Sequence, residues 1–95
     1  PGAMAAKLLS VEVKEAGHPS VLFTLDSPVA HKVFTLTNPD RVVIDFVDTS
    51  LAVNLSRVNL GNQLINEIRS GHPNPHTLRL VLEVNQRVKT KTYPL

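Results

Sequence analysis

The side chains best suited to bind a ligand are arginines and acids that alternate with aliphatic residues in two similar segments. RVVIDF places Arg41 and Asp45 on one face of a strand, and RLVLEV places Arg79 and Glu83 in the same way. Arg41 and Asp45 lie about 13 Å apart along a strand, so each must meet partners on neighbouring strands. A guanidinium donates to carboxylates, and an acid accepts from hydroxyls and amides. The pattern therefore fits a ligand-binding surface or a set of solvated cross-strand ion pairs.

The sequence lacks the spacing of a catalytic or metal centre. His72 and His76 are four residues apart, but Pro73 and Pro75 exclude the helix that would align them on one zinc ion. The chain has no cysteine, no glycine-rich phosphate loop and no serine in a nucleophile elbow. We therefore expect a binding domain with no enzymatic activity, no metal and no cofactor.

The composition is that of one ordinary globular domain. The 95 residues are 42% hydrophobic and 19% charged, with a net charge of +2. This charge is too small for a typical nucleic-acid binder, so we expect no nucleic-acid partner. No apolar run approaches the ~20 residues that cross a bilayer, so we expect no membrane insertion. We expect residues 1–6, PGAMAA, to be a cloning remnant and disordered N-terminus, and residues 7–95 to form the domain.

The elements that must position these side chains are strands, because apolar and polar residues alternate with a period of two. Eight candidate strands occur between turn residues, at 8–15, 21–26, 30–36, 41–46, 51–55, 64–70, 77–84 and 87–93. In the first, Leu9, Val11 and Val13 share the apolar face. Phe23 and Phe46 also lie on apolar faces, so both are expected in the core.

The flanks of the two similar segments repeat as well. GHPS precedes an early strand and GHPN a late one, while VAHKVFTL resembles the closing VKTKTYPL. We therefore expect an all-β sandwich of two similar, roughly four-stranded sheets with internal pseudo-symmetry. Arg41 and Asp45 would then lie on the outer face of one sheet, and Arg79 and Glu83 on the outer face of the other.

The segments FTLTNPDRVVIDF, INEIRSG and TLRLVLEV together resemble the AMIN domain, and the similarity extends over nearly all of residues 7–95. The resemblance implies a sandwich of two similar sheets that binds peptidoglycan in the periplasm and places a cell-wall amidase at the division septum. The parent amidase's zinc ligands and catalytic glutamate would lie beyond Leu95. The implied ligand-binding positions are Arg41, Asp45, Arg69, Arg79 and Glu83, where Glu83 replaces an aspartate that is frequent in the family.

Two other functions remain open at the level of sequence. One is a protein-interaction module of a periplasmic or outer-membrane assembly, such as a type IV pilus secretin or a divisome, which binds through a sheet face or an edge strand. The other is a basic surface for acidic polymers, because Arg87, Lys89 and Lys91 share one face of the last predicted strand; the same stripe also fits a solubilising edge. With few aromatic residues, we expect shallow polar binding to stem peptide or glycan, and avidity through tethering.

Overall fold

The computed structural model describes residues 5–95, which form two β-sheets packed together. The elements are β1 (Ala6–Lys14), β2 (Ser20–Leu25), β3 (His31–Leu36), β4 (Arg41–Val47), β5 (Thr49–Leu51), a 3₁₀ helix (Leu55–Arg57), β6 (Ile65–Asn74) and β7 (Thr77–Val84). The strand orders are β2-β1-β5 and β3-β4-β7-β6, and every neighbouring pair except β1 with β5 is antiparallel. The predicted all-β fold with two packed sheets is confirmed. No helix of residues 5–95 is long and apolar enough to cross a membrane.

The core lies between the two sheets and is built from alternate residues of their strands. Leu8 of β1 and Leu78 and Leu80 of β7 are completely buried. Phe23 of β2 meets Phe46 of β4 in an edge-to-face contact, with the ring centroids 5.5 Å apart, so the two aromatic rings join the sheets. The prediction that both phenylalanines belong to the core is confirmed.

β1 departs from the predicted alternation by one residue. Its pairing with β2 shifts register between Leu8 and Ser10. The extra residue turns Leu8 into the core and leaves Leu9 45% exposed. The prediction that Leu9 shares the buried face with Val11 is therefore wrong, because a period of two does not continue through a β-bulge.

Two predicted strands differ from the structure. Residues 51–55 contribute only the end of β5 (Thr49–Leu51), and the 3₁₀ helix follows. Residues 87–93 form no strand. β7 already has β4 on one side and β6 on the other, so the chain that continues past Val84 cannot turn back and pair with β7. The sheets have three and four strands in orders that are not equivalent, so internal pseudo-symmetry is not shown.

The start of β1 is tied to β5. The backbone N–H of Ala6 donates to the carbonyl of Asp48, and Ala6 pairs with Thr49 in a parallel arrangement. β1 therefore begins one residue before the predicted domain boundary. Residues 1–4 lie outside the described part of the chain, so the prediction of a cloning remnant there stays a prediction.

Candidate functional site

The outer surface of the four-stranded sheet brings together all five residues that were predicted to bind a ligand. β4 and β7 are neighbours in this sheet, and they place Arg41 opposite Glu83 and Asp45 opposite Arg79. Arg69 of β6 joins the same surface through its pairing with β7. The prediction that the two Arg-x-Val-x-acid segments lie on different sheets is therefore wrong. Alternation indicates which face of a strand a residue occupies, but it does not identify the neighbouring strand.

We call this surface the polar face. Its side chains form three rows, and each row crosses β3, β4, β7 and β6 in that order. The rows are Lys32–Asp45–Arg79–Gly71, Phe34–Val43–Val81–Arg69 and Leu36–Arg41–Glu83–Glu67. The central row is apolar except for Arg69, and it lies between two rows that carry charged residues. Val43 is buried, so the half-buried Phe34 and Val81 are the apolar side chains that this surface presents beside its hydrogen-bonding groups.

Asp45 and Arg79 form a bidentate ion pair across β4 and β7. Arg79 Nε donates to Asp45 Oδ1 at 2.8 Å, and the terminal Nη2 donates to Oδ2 at 2.9 Å. The Asp45 side chain is 11% exposed and that of Arg79 is 35% exposed. The hydrogen bonds from Arg79 lower the pKa of Asp45 below its ordinary value, and the same bonds raise the pKa of Arg79. The pair therefore stays charged at neutral pH and holds Arg79 in one orientation.

Phe34 is a member of the polar face that sequence analysis did not single out. Its half-buried ring has Lys32 Nζ 5.3 Å and Arg79 Cζ 5.5 Å from the ring centroid, which are cation–π distances. The ring thus supports the Arg79 guanidinium while Asp45 orients it. The available signal was the spacing of Lys32 and Phe34, which puts an aromatic ring in step with a lysine on the outward side of β3.

Arg41 contacts the turn that precedes β4, and its predicted part in ligand binding stays a prediction. Its Nε donates to the carbonyl of Pro39 and its Nη2 to that of Thr37, both at 3.0 Å. These bonds hold the turn between β3 and β4, which contains a cis Asn38–Pro39 peptide. Within residues 5–95 the Arg41 guanidinium forms no ion pair, even though Glu83 lies opposite it.

Arg69 and Glu67 form an exposed ion pair on this face, and Glu83 lies beside them. Arg69 Nε lies 2.7 Å from Glu67 Oε1, and the two side chains are 60% and 52% exposed. Glu83 is half-buried opposite Glu67. An exposed ion pair adds little stability, so a ligand can exchange with it at low cost. These groups are suited to bind carboxylates through Arg69 and amide or hydroxyl donors through Glu67 and Glu83.

The two closely spaced histidines lie near the hairpin that joins β6 to β7. His72 Nδ1 is 2.9 Å from the Thr77 carbonyl oxygen, and His76 Nδ1 is 3.2 Å from Asp48 Oδ1. Each imidazole therefore has its own local partner. The part of the chain that the structure describes contains no group of three or more His, Cys, Asp or Glu side chains that could hold a metal ion.

Comparison with known proteins gives a consistent set of similarities. A family model described as "AMIN domain" matches residues 10–95. The chain is 35% identical over 69 residues to the N-acetylmuramoyl-L-alanine amidase AmiC of Escherichia coli O6:H1, covering 68% of this chain and 16% of that protein. It is 32% identical over 84 residues to the enzyme of the same name from Neisseria meningitidis serogroup B, covering 82% of this chain and 20% of that protein. The chain thus spans a fifth or less of the length of these curated relatives.

Proposed function

The chain belongs to the AMIN domain family, and we propose on this basis that it is a non-catalytic domain that binds peptidoglycan and holds a periplasmic cell-wall amidase at the division septum. The relatives are named for the bond between an N-acetylmuramoyl group and L-alanine. In peptidoglycan that bond joins the glycan to the stem peptide. The catalytic residues of such an amidase would belong to the remaining four fifths or more of the protein.

The observation that carries this proposal is the convergence of the five predicted residues on the polar face. Stem peptides present carboxylates, amides and small apolar side chains. Arg69 matches a carboxylate, and Glu67 and Glu83 match amide N–H groups. The half-buried Phe34 and Val81 match methyl groups and the CH face of a sugar. One face of the sheet thus offers charged, hydrogen-bonding and apolar contacts to such a polymer.

Some residues of the polar face are held by internal contacts, and others are accessible to a ligand. Asp45 and Arg79 bind each other, and Arg41 donates to carbonyls of the turn that leads into β4. None of the three can therefore offer all of its polar groups to a ligand. Arg69 and Glu83 are available for direct contact. Because the surface is shallow, we expect weak binding by one domain, and attachment to an enzyme that acts on the same polymer would provide avidity.

Co-sedimentation with purified, protein-free sacculi at physiological salt tests the proposal. The wild type should pellet with the sacculi, and Arg69→Ala combined with Glu83→Ala should reduce the bound fraction severalfold. These two changes are preferable to Arg41→Ala or Arg79→Ala, because they leave the turn and the Asp45–Arg79 ion pair intact.

Arg57→Ala is the control for the loss of an exposed arginine outside the polar face. Arg57 is an exposed arginine in the 3₁₀ helix, outside the four-stranded sheet. Its removal should leave the bound fraction unchanged. If the wild type remains in the supernatant, or if Arg57→Ala and the double variant lose binding equally, the polar face is not a wall-binding surface.

A protein-interaction module is the second candidate, because β6 is a ten-residue edge strand whose outer side has no neighbouring strand in the described part of the chain. Its pairing with β7 is irregular near Ile65 and again between Gly71 and Asn74, and Pro73 supplies no N–H. These features oppose the addition of a further strand. A partner that binds the edge would be insensitive to Arg69→Ala, and this result would favour the second candidate.

A further inference from the structure

A cleft of about 380 Å³ opens at the end of the four-stranded sheet, where β3 ends, β4 begins and β7 ends. We call it the basic cleft. Its cationic side chains are Arg41, Arg87 and Lys89, and its apolar ones are Leu36, Val84 and Val88. The alternation of residues predicts a final strand that contains Arg87 and Lys89, but the chain beyond Val84 instead lines this cleft.

The cations of the basic cleft have unused hydrogen-bonding capacity. Within the part of the chain that the structure describes, Arg87 and Lys89 form no ion pair, and both are exposed. Arg41 uses its Nε and Nη2 on the turn carbonyls, so its second terminal nitrogen remains available. The lining contains one acid, Asp40, against these three cations. The cleft therefore favours an anionic group.

The apolar part of the lining indicates what the anion should be attached to. Val84 is buried, and Val88 is half-buried against the core, so both are held in place by packing. Leu36 is partly exposed and lines the cleft on the side that adjoins the polar face. A fully hydrated phosphate gains nothing from these apolar side chains, whereas a carboxylate next to a methyl group contacts both parts of the lining.

We propose that the basic cleft binds the C-terminal carboxylate of a short peptide that ends in a small aliphatic residue such as alanine. Leu36 and Arg41 belong both to the cleft and to the last row of the polar face. A peptide lying across that row can therefore reach the cleft with its end. The inference rests on the proposed function only for the source of this peptide, which would be the stem peptide of peptidoglycan.

Amide chemical shifts of the ¹⁵N-labelled domain, followed during titration with N-acetyl-alanyl-alanine, test the inference. The amides of Thr37, Val84 and Val88 should shift in a saturable way, with a dissociation constant in the millimolar range, about that of one charged group with a small apolar contact. The same peptide with a C-terminal amide should cause no saturable shift at these positions. Inorganic phosphate, added as a third ligand, should shift them much less.

Variants then test which cations bind the peptide carboxylate. The combined changes Arg87→Ala and Lys89→Ala should weaken binding by about fivefold or more, while Lys91→Ala removes a nearby positive charge outside the cleft lining and should leave binding unchanged. Equal shifts with the peptide amide or with phosphate, equal affinity of the double variant, or no shift up to about 50 mM peptide would overturn the inference. Sacculus binding through Arg69 is measured separately, so each proposal can fail while the other stands.

Discussion

Removal of the Arg79 guanidinium should destabilise the domain more than removal of the Asp45 charge. Arg79→Met keeps much of the apolar length of the side chain but deprives the Asp45 carboxylate, 11% exposed, of hydrogen bonds at 2.8 and 2.9 Å. Breaking a fully buried pair costs roughly 3–5 kcal/mol, and the partial exposure of Arg79 reduces this to about 2–3 kcal/mol of unfolding free energy. Asp45→Asn should cost about 1 kcal/mol, because the amide oxygen still accepts and the guanidinium still reaches water.

Urea unfolding between pH 7 and pH 3 separates the two effects. The pKa of Asp45 is lowered from its ordinary value of 3.8 by the hydrogen bonds of Arg79. The ionised Asp45 therefore stabilises the folded state fully above the pKa that this carboxyl has in the unfolded chain. This stabilisation is lost as the pH falls through its lower pKa in the folded state. The advantage of the wild type over Asp45→Asn should stay constant down to about pH 5 and shrink below about pH 4. In Arg79→Met, burial without the guanidinium raises the pKa of Asp45. Mild acid should therefore reduce the loss of unfolding free energy of this variant relative to the wild type.

Arg69→Met is the matched control, because it makes the same change on the same surface. Its partner Glu67 is 52% exposed, so the expected loss is within about 0.5 kcal/mol. Equal losses for Arg79→Met and Arg69→Met would refute the reasoning. So would a deficit of Asp45→Asn that does not change between pH 7 and pH 3.

Two further predictions concern the frame that supports this surface, and both are measured as unfolding free energies. Gly61→Ala should be more destabilising than Gly17→Ala, although both glycines have positive φ. A Cβ at Gly61 would collide with the Glu15 carboxylate, which would have to give up its hydrogen bonds from the Asn62 and Gln63 N–H groups to move, whereas the space at Gly17 is open; equal losses would show that the carboxylate moves aside freely. Leu8→Ala should cost about 2–5 kcal/mol while Leu9→Ala costs less than about 1 kcal/mol, because the β-bulge buries Leu8 and exposes Leu9; the reverse order would mean that the bulge is absent in solution.

The faces of the strands were the part of the fold that the sequence predicted well. β7 alternates without interruption between half-buried and buried residues from Thr77 to Val84, as its sequence pattern indicated. The side chains of β4 point to the predicted faces, but those on the outer face are more buried than the pattern indicates. Val43 and Asp45 are buried although they point away from the core, because Phe34 and Arg79 cover them from the neighbouring strands. This cover depends on strand pairing, which alternation within one strand does not contain.

The assembly of the candidate site was less predictable. The repeated segments predict two similar halves and so distribute the five residues over two sheets, whereas the structure pairs the segments with each other in one sheet. The role of Arg41 depends on a turn whose carbonyls point towards its guanidinium, and the role of Phe34 depends on Arg79, which is distant in sequence. Such contacts follow from tertiary packing and leave no periodic signal.

The pairing of β4 with β7 also determines when the domain can become stable during folding. The three antiparallel pairs β1–β2, β3–β4 and β6–β7 each join strands that follow one another, so each can form by closing a short loop. The polar face exists only after β4 meets β7, and the Asp45–Arg79 contact spans 34 residues. The parallel contact of Ala6 with Thr49 closes a loop of similar length. Closing such loops costs chain entropy before packing compensates for it, so we expect folding on the millisecond-to-second scale of β-sandwiches. A chain emerging from the ribosome cannot complete its four-stranded sheet until β7 has been synthesised.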